Sequence, residues 1–254
     1  MKILLTLLLL LPGFFYSIAQ KRTIHVFVAL CDNENQGIVP VPKAIGNGQD
    51  PKTNLYWGAG HGVKHYFQRK TTDWKLLTTI RSDNSAILER LLFKHRHKDV
   101  YLLADAYDGS KIKTSIETFL KSANGQMPFT IQHDTLVLNF GGDADLLAYV
   151  GHDGLMDFDV DVAYNPSCKK NMDVMILACY SKPYFLEDIR KAKAQPVLWT
   201  THLMAPEAYT LKSAIDGWIL NETGKQIEER AAQTYHQYQN CGIKGARNLF
   251  TTGY

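Results

Sequence analysis

Apolar positions fall into short dense runs separated by segments with helical spacing, and this alternation predicts strands and helices in turn. Residues 23–31, Thr-Ile-His-Val-Phe-Val-Ala-Leu-Cys, are rich in β-branched and apolar types and predict a buried strand. A polar segment from Asp32 to Asn54 follows, punctuated by Pro40, Pro42, Gly46, Gly48 and Pro51. It reads as an irregular loop of a length usually associated with function or mobility. Its Gly-Asn-Gly lacks the helix and lysine that a phosphate loop needs. Ser82 is placed to cap a helix running to about His95, with Ile87, Leu88, Leu91 and Leu92 on one face. The basic run Lys94–Lys98 would then suit the negative end of that helix.

Val100 to Ala106 predicts a second strand, and Ile112, Ile116, Phe119 and Leu120 have helical spacing. Apolar segments at 135–140 and 145–150 are divided by Gly141-Gly142. Asp173 to Ala178 predicts a strand, followed by a helix from about Pro183 to Lys193 with Ser181 near its cap, then a strand from Pro196 to Thr200. Met204, Ala208, Leu211, Ile215, Trp218 and Ile219 trace one face of the next helix, and Gly224 to Gln239 forms a final polar one. Strands alternating with helices imply an α/β fold, a mostly parallel sheet flanked by helices on both faces as an α/β/α sandwich. There is no internal repeat or break in composition, so residues 20–254 are expected to form a single domain.

The first residues carry a different signal. Lys2 precedes an apolar run, Ile3 to Leu11, broken by Pro12 and Gly13, and Ser17-Ile18-Ala19 supplies small residues at the positions a signal peptidase reads. The run is about half the ~20 residues that span a bilayer. The expectation is a signal peptide over 1–19, export to the periplasm or the medium, and no stable membrane insertion afterwards.

Charge and composition narrow the partners. Lys plus Arg number 28 against 25 Asp plus Glu, a net charge of +3, which argues against a general nucleic-acid binder. Apolar residues at 45% and aromatics at 11% exclude a disordered or low-complexity chain. Cys31, Cys168, Cys179 and Cys241 are too few for a disulfide scaffold, although export permits pairing, and the sequence leaves the pairing open.

In open α/β sheets chemistry sits beyond the carboxyl ends of the strands. Two such ends stand out: Leu146-Leu147-Ala148-Tyr149-Val150-Gly151-His152-Asp153-Gly154, and Val174-Met175-Ile176-Leu177-Ala178-Cys179-Tyr180-Ser181. Each delivers one reactive side chain, and neighbouring strands would bring His152 and Cys179 within a few ångströms. A cysteine just before a helix N-terminus is expected to have a lowered thiol pKa. Histidine can take or return its proton near neutral pH. The backbone N–H groups of Cys179 and of the turn containing Gly154 are candidates to hold an oxyanion. Together these are the parts of an acyl-transfer site.

Val150-Gly151-His152 and Leu177-Ala178-Cys179-Tyr180-Ser181 resemble the motifs of the caspase–gingipain–legumain clan of cysteine peptidases, and the order of elements over roughly residues 23–220 is similar to that clan's caspase-like fold. The resemblance implies His152 and Cys179 as a catalytic dyad that hydrolyses a peptide bond through an acyl-enzyme. It also implies that the end of the first strand, near Asp32 and Asn33, shapes the pocket for the residue before the scissile bond. Two departures stand beside it. Asp153 occupies the place where the clan has glycine directly after histidine, and the spacing of 27 residues between His152 and Cys179 is shorter than the roughly 50 of caspases. The link between the two strands must therefore contain a short helix or none.

His202 is a rival base beyond the strand Pro196–Thr200. Asp157, Asp159 and Asp161 alternate and, if extended, share one face that offers oxygen ligands to calcium; a solvated turn is the plainer reading. No other cofactor is expected. The sequence thus points to a secreted cysteine endopeptidase acting on protein or peptide, with an amidohydrolase or transpeptidase on a non-protein substrate as the related alternative. The rival from another class is a catalytically silent caspase-like binding module.

Overall fold

The computed structural model describes residues 21–167 and 171–254. The expected signal segment and Cys168 lie outside the described residues. The first strand, β1 (Arg22–Ala29), is followed by the irregular loop and then a short helix, α1 (Val63–His65), that runs on as a π-turn over Tyr66–Lys70. Strands β2 (Trp74–Thr79), β3 (Ile87–His95) and β4 (Val100–Tyr107) lead into helix α2 (Ile112–Ala123). A hairpin of β5 (Phe129–His133) and β6 (Leu136–Phe140) precedes β7 (Leu146–Val150) and β8 (Asp173–Leu177). The chain continues through α3 (Ser181–Ala192), β9 (Gln195–Thr200), α4 (Ala208–Ile219), α5 (Gly224–Gln239), α6 (Ile243–Leu249) and β10 (Phe250–Thr251).

Eight strands form one sheet in the order β10-β9-β8-β7-β1-β4-β3-β2, while β5 and β6 pair separately. The five from β9 to β4 are parallel, and β2, β3 and β10 are antiparallel additions at the two edges. The parallel strands are apolar almost without interruption because both faces are covered. On one face Ile24, Val26, Val28, Met175 and Leu177 pack against Leu211 and Ile215 of α4 and Ile227 and Ala231 of α5. On the other, Phe27, Leu147, Tyr149 and Ile176 pack against Ile116 and Phe119 of α2 and Phe185 and Ile189 of α3. The fold is an α/β/α sandwich with a mostly parallel sheet.

The segment expected to be a helix from Ser82 to His95 is instead strand β3, antiparallel to β4. Leu91 and Phe93 belong to one sheet face and Leu92 to the other, where the β5–β6 hairpin covers it through Leu138 and Phe140. Burial from two sides produced apolar neighbours that mimic a helical stripe. The basic run therefore closes a strand rather than a helix: Lys94 pairs with Asp99 at 3.3 Å and with the Tyr101 hydroxyl at 3.2 Å. α4 begins at Ala208, so Met204 precedes it in an irregular segment.

One polar cluster interrupts the core. Asp105 of β4 is fully buried and accepts Arg90 Nε and Nη2, both at 2.6 Å, and His25 Nε2 at 3.0 Å. The Gly141 N–H donates to His25 Nδ1 at 3.3 Å, which leaves Nε2 to carry the imidazole proton toward Asp105. Burial lowers the His25 pKa below its ordinary value, so this histidine is held neutral.

Candidate functional site

β7 and β8 are neighbours in parallel register, with Val150 opposite Leu177. His152 and Cys179 each lie two residues beyond that pair, on strands whose spacing is about 4.8 Å. The link between the strands holds a 3-10 turn, Gly154–Met156, and irregular chain, with no α-helix among the described residues.

Backbone geometry sets both side chains. Gly151 follows β7 with φ +150, and a Cβ there would lie 2.8 Å from the Ala29 carbonyl, so glycine is required for the chain to turn beside β1. At the other strand end Tyr180 adopts the left-handed region, φ 48, as the N-cap of α3. That leaves Cys179 on a tight strand-to-helix turn. Ser181 sits inside this turn as the first residue of α3 rather than as its cap. Its hydroxyl donates to the Ile176 carbonyl at 2.8 Å and accepts from the Thr200 N–H at 2.9 Å. The Thr200 hydroxyl closes the network by donating to the Ala178 carbonyl.

The Cys179 thiol is half-buried and free. Its polar neighbours are the Met204 N–H at 3.4 Å and the Met204 carbonyl at 3.5 Å. Burial pushes the thiol pKa up, the Met204 N–H opposes this, and Asp153 adds to it. The thiol is thus raised rather than lowered, against the sequence expectation, and a base is needed to generate thiolate near neutral pH. Cys31, also free, is buried, and its thiol is pushed up to about 11 by burial.

His152 is 6% exposed, and its Nε2 lies 2.6 Å from Asp157 Oδ2. The same oxygen accepts the Gly37 N–H at 2.9 Å, so Asp157 ties the imidazole to the long loop after β1. When Nε2–H donates to this carboxylate, the free lone pair of a neutral imidazole is on Nδ1, which is then available to accept a proton. Among the described residues no hydrogen bond joins the imidazole to Sγ; the two are delivered to one edge but turned to different partners. The sequence singles out His152 and Cys179, but it offers Asp157 only as part of a solvated turn or as a calcium ligand, and Met204 only as part of a helix face.

The other candidates occupy different positions. Gly154 opens the 3-10 turn facing α2, where a Cβ would strike Phe158 and Ile116. The amide directly after the histidine belongs to Asp153, whose carboxylate accepts the Leu155 N–H at 3.0 Å. Asp32 is buried and accepts from the Glu34 and Asn35 backbones, the Asn35 side chain and Gln49. These bonds outweigh its burial and hold its pKa below the ordinary value. Asn33 exchanges two hydrogen bonds with the Val41 backbone. Both line a polar cavity of about 750 Å³ together with Lys43, Asn47 and Asp50, and neither His152 nor Cys179 is part of that lining. His202 is exposed, bonded through Nδ1 to the Thr201 hydroxyl at 2.8 Å, and its carbonyl accepts the Tyr180 N–H. Asp159 and Asp161 are exposed, and among the described residues no three His, Cys, Asp or Glu side chains gather as a metal site. No helix of the described residues is long and apolar enough to cross a membrane. Comparison of the chain with family models, with curated proteins and with solved structures finds no match to any of them.

Proposed function

We propose that the protein is a cysteine endopeptidase of the caspase–gingipain–legumain kind, exported by its leader-like first residues, with Cys179 as nucleophile and His152 as base. The observation that carries this reading is the delivery of Cys179 and His152 from adjacent parallel strands to one carboxyl edge, with Asp157 on the far nitrogen of the imidazole. The reaction requires the thiol to turn from the Met204 carbonyl toward the imidazole. His152 then takes the thiol proton, Sγ attacks the scissile carbonyl, and the proton passes to the leaving amine. Water, deprotonated by the same imidazole, releases the acyl group. The Cys179 and Asp153 amides are the candidates to meet the oxyanion.

One observation favours the rival reading of a silent binding module: the thiol is satisfied by Met204 and its pKa is raised. Labelling with a panel of peptidyl acyloxymethyl ketones separates the two. The peptidase reading expects a single adduct on Cys179 that depends on the peptide portion and is lost in His152→Ala. Adducts shared among Cys31, Cys179 and Cys241 irrespective of peptide would support the silent module.

A further inference from the structure

The turn after His152 contains a group the proposed chemistry does not use. Asp153 is 0% exposed. Its Oδ1 accepts the Leu155 N–H, the work of an ordinary capping residue, yet its Oδ2 is buried with no hydrogen-bond partner. A cap needs one acceptor, which asparagine or serine supplies equally well. Sealing a second, unpartnered carboxylate oxygen from water is costly.

Among the described residues its surroundings offer no compensating cation. The titratable groups nearest it are His152 and Asp157 on its own turn, Tyr149 of β7, and Cys179 at the end of β8. Tyr149 spends its hydroxyl on the His152 carbonyl at 2.8 Å. Tyr56, from the segment after the long loop, adjoins both Tyr149 and Cys179. From α2 come the apolar Ile116, against Gly154, and Lys113, whose ammonium sits over the Phe158 ring at 5.7 Å. From α3 comes Phe185, packed on Tyr149 at 5.8 Å.

We propose that Asp153 is a positioning residue for charge: sealed beneath the turn that carries His152, its carboxyl group gains or loses its charge beside Cys179 and so sets how much of that thiol is thiolate. The consequence for turnover rests on Cys179 being the nucleophile, as proposed above; the coupling itself needs no substrate. Burial, reinforced by Asp157 and opposed by the Leu155 N–H, pushes the Asp153 carboxyl up to about 7. Below that pH the group is neutral and leaves the thiolate undisturbed. Above it the carboxylate repels the thiolate, so Cys179 gains reactivity with pH less steeply than an isolated thiol.

Alkylation by iodoacetamide, resolved for each cysteine by mass spectrometry from about pH 5.5 to about pH 8.5, tests this with exposed Cys241 as the internal standard. In the wild-type protein the Cys179/Cys241 rate ratio is expected to fall as pH rises through about 7, by on the order of tenfold for a neighbouring buried like charge. In Asp153→Asn the ratio is expected to stay flat, equal to wild type at the acid end and about tenfold higher at the alkaline end. A wild-type ratio independent of pH overturns the proposal, as does a variant that follows the wild-type curve. If Asp153→Asn fails to give a cooperative melt, Asp153→Ser, which keeps an acceptor for the Leu155 N–H, is read in its place. A pH-dependent ratio in a protein that cleaves no peptide would leave this coupling standing and remove the peptidase reading instead.

Discussion

Asp105→Asn is the most exacting test of how the sheet is held. The substitution keeps the shape of the side chain and removes its charge. It also replaces one acceptor oxygen by an NH2 group, facing three donors: Arg90 Nε, Arg90 Nη2 and His25 Nε2. Arg90 is only 12% exposed and cannot turn its guanidinium fully to water. Breaking one side of a buried pair typically costs about 3–5 kcal/mol. For a chain of this size each kcal/mol lowers Tm by roughly 2–4 °C, so a fall of about 6–20 °C is expected by calorimetry. Burial raises the Asp105 pKa, but Arg90 and His25 outweigh it and leave the carboxyl below its ordinary value. A depressed carboxyl contributes stability that is present above its unfolded pKa of about 3.9 and lost as pH falls through its folded pKa. The gap between wild type and variant should therefore narrow only in acid below about pH 4. The combined change Asp105→Leu and Arg90→Met should recover much of the loss, because it leaves no unpaired charge. A Tm change under about 3 °C for Asp105→Asn, or a gap unchanged in acid, would show that the buried cluster does not hold the sheet in this way.

Other perturbations address the site and its support. Asp157→Asn should lower turnover about 10–100-fold, less than for a fully buried orienting carboxylate because Asp157 is 31% exposed. A change below twofold in steady-state kinetics would remove Asp157 from the arrangement. His202→Ala should leave turnover nearly intact, since this ring is exposed and bonded to Thr201; a loss matching that of His152→Ala would reassign the base. Ser181→Ala should destabilise by about 1–3 kcal/mol in urea unfolding, because it strips a partner from the buried Ile176 carbonyl and Thr200 N–H; an unchanged midpoint would contradict this.

The parallel centre of the sheet was legible because β1, β4, β8 and β9 are apolar runs that become buried on both faces. The edge was less so. β2 alternates weakly and is only half-buried, so Trp74–Thr79 gives little periodic signal. β3 misleads because Leu91, Leu92 and Phe93 are buried together, the hairpin supplying a second cover that local sequence does not announce. At the candidate site, the apolar runs ending before His152 and Cys179 are legible as strands, and β7 and β8 are neighbours. Asp157 was out of reach of pattern reasoning, since it meets His152 across an irregular turn of no fixed period. The raised thiol pKa of Cys179 is equally hidden: burial and Asp153 push it up, and neither can be read from the residues flanking the cysteine.

Peptidase activity through Cys179 is decided by incubating protein beginning at Gln20 with a proteome-derived peptide library, with and without calcium, and reading new termini by mass spectrometry. Cuts are expected at a consistent residue type and should vanish in Cys179→Ala, a variant expected to keep a cooperative melt. Cuts that persist in Cys179→Ala, or no cuts in either calcium condition from folded protein with a free Cys179, would contradict that activity.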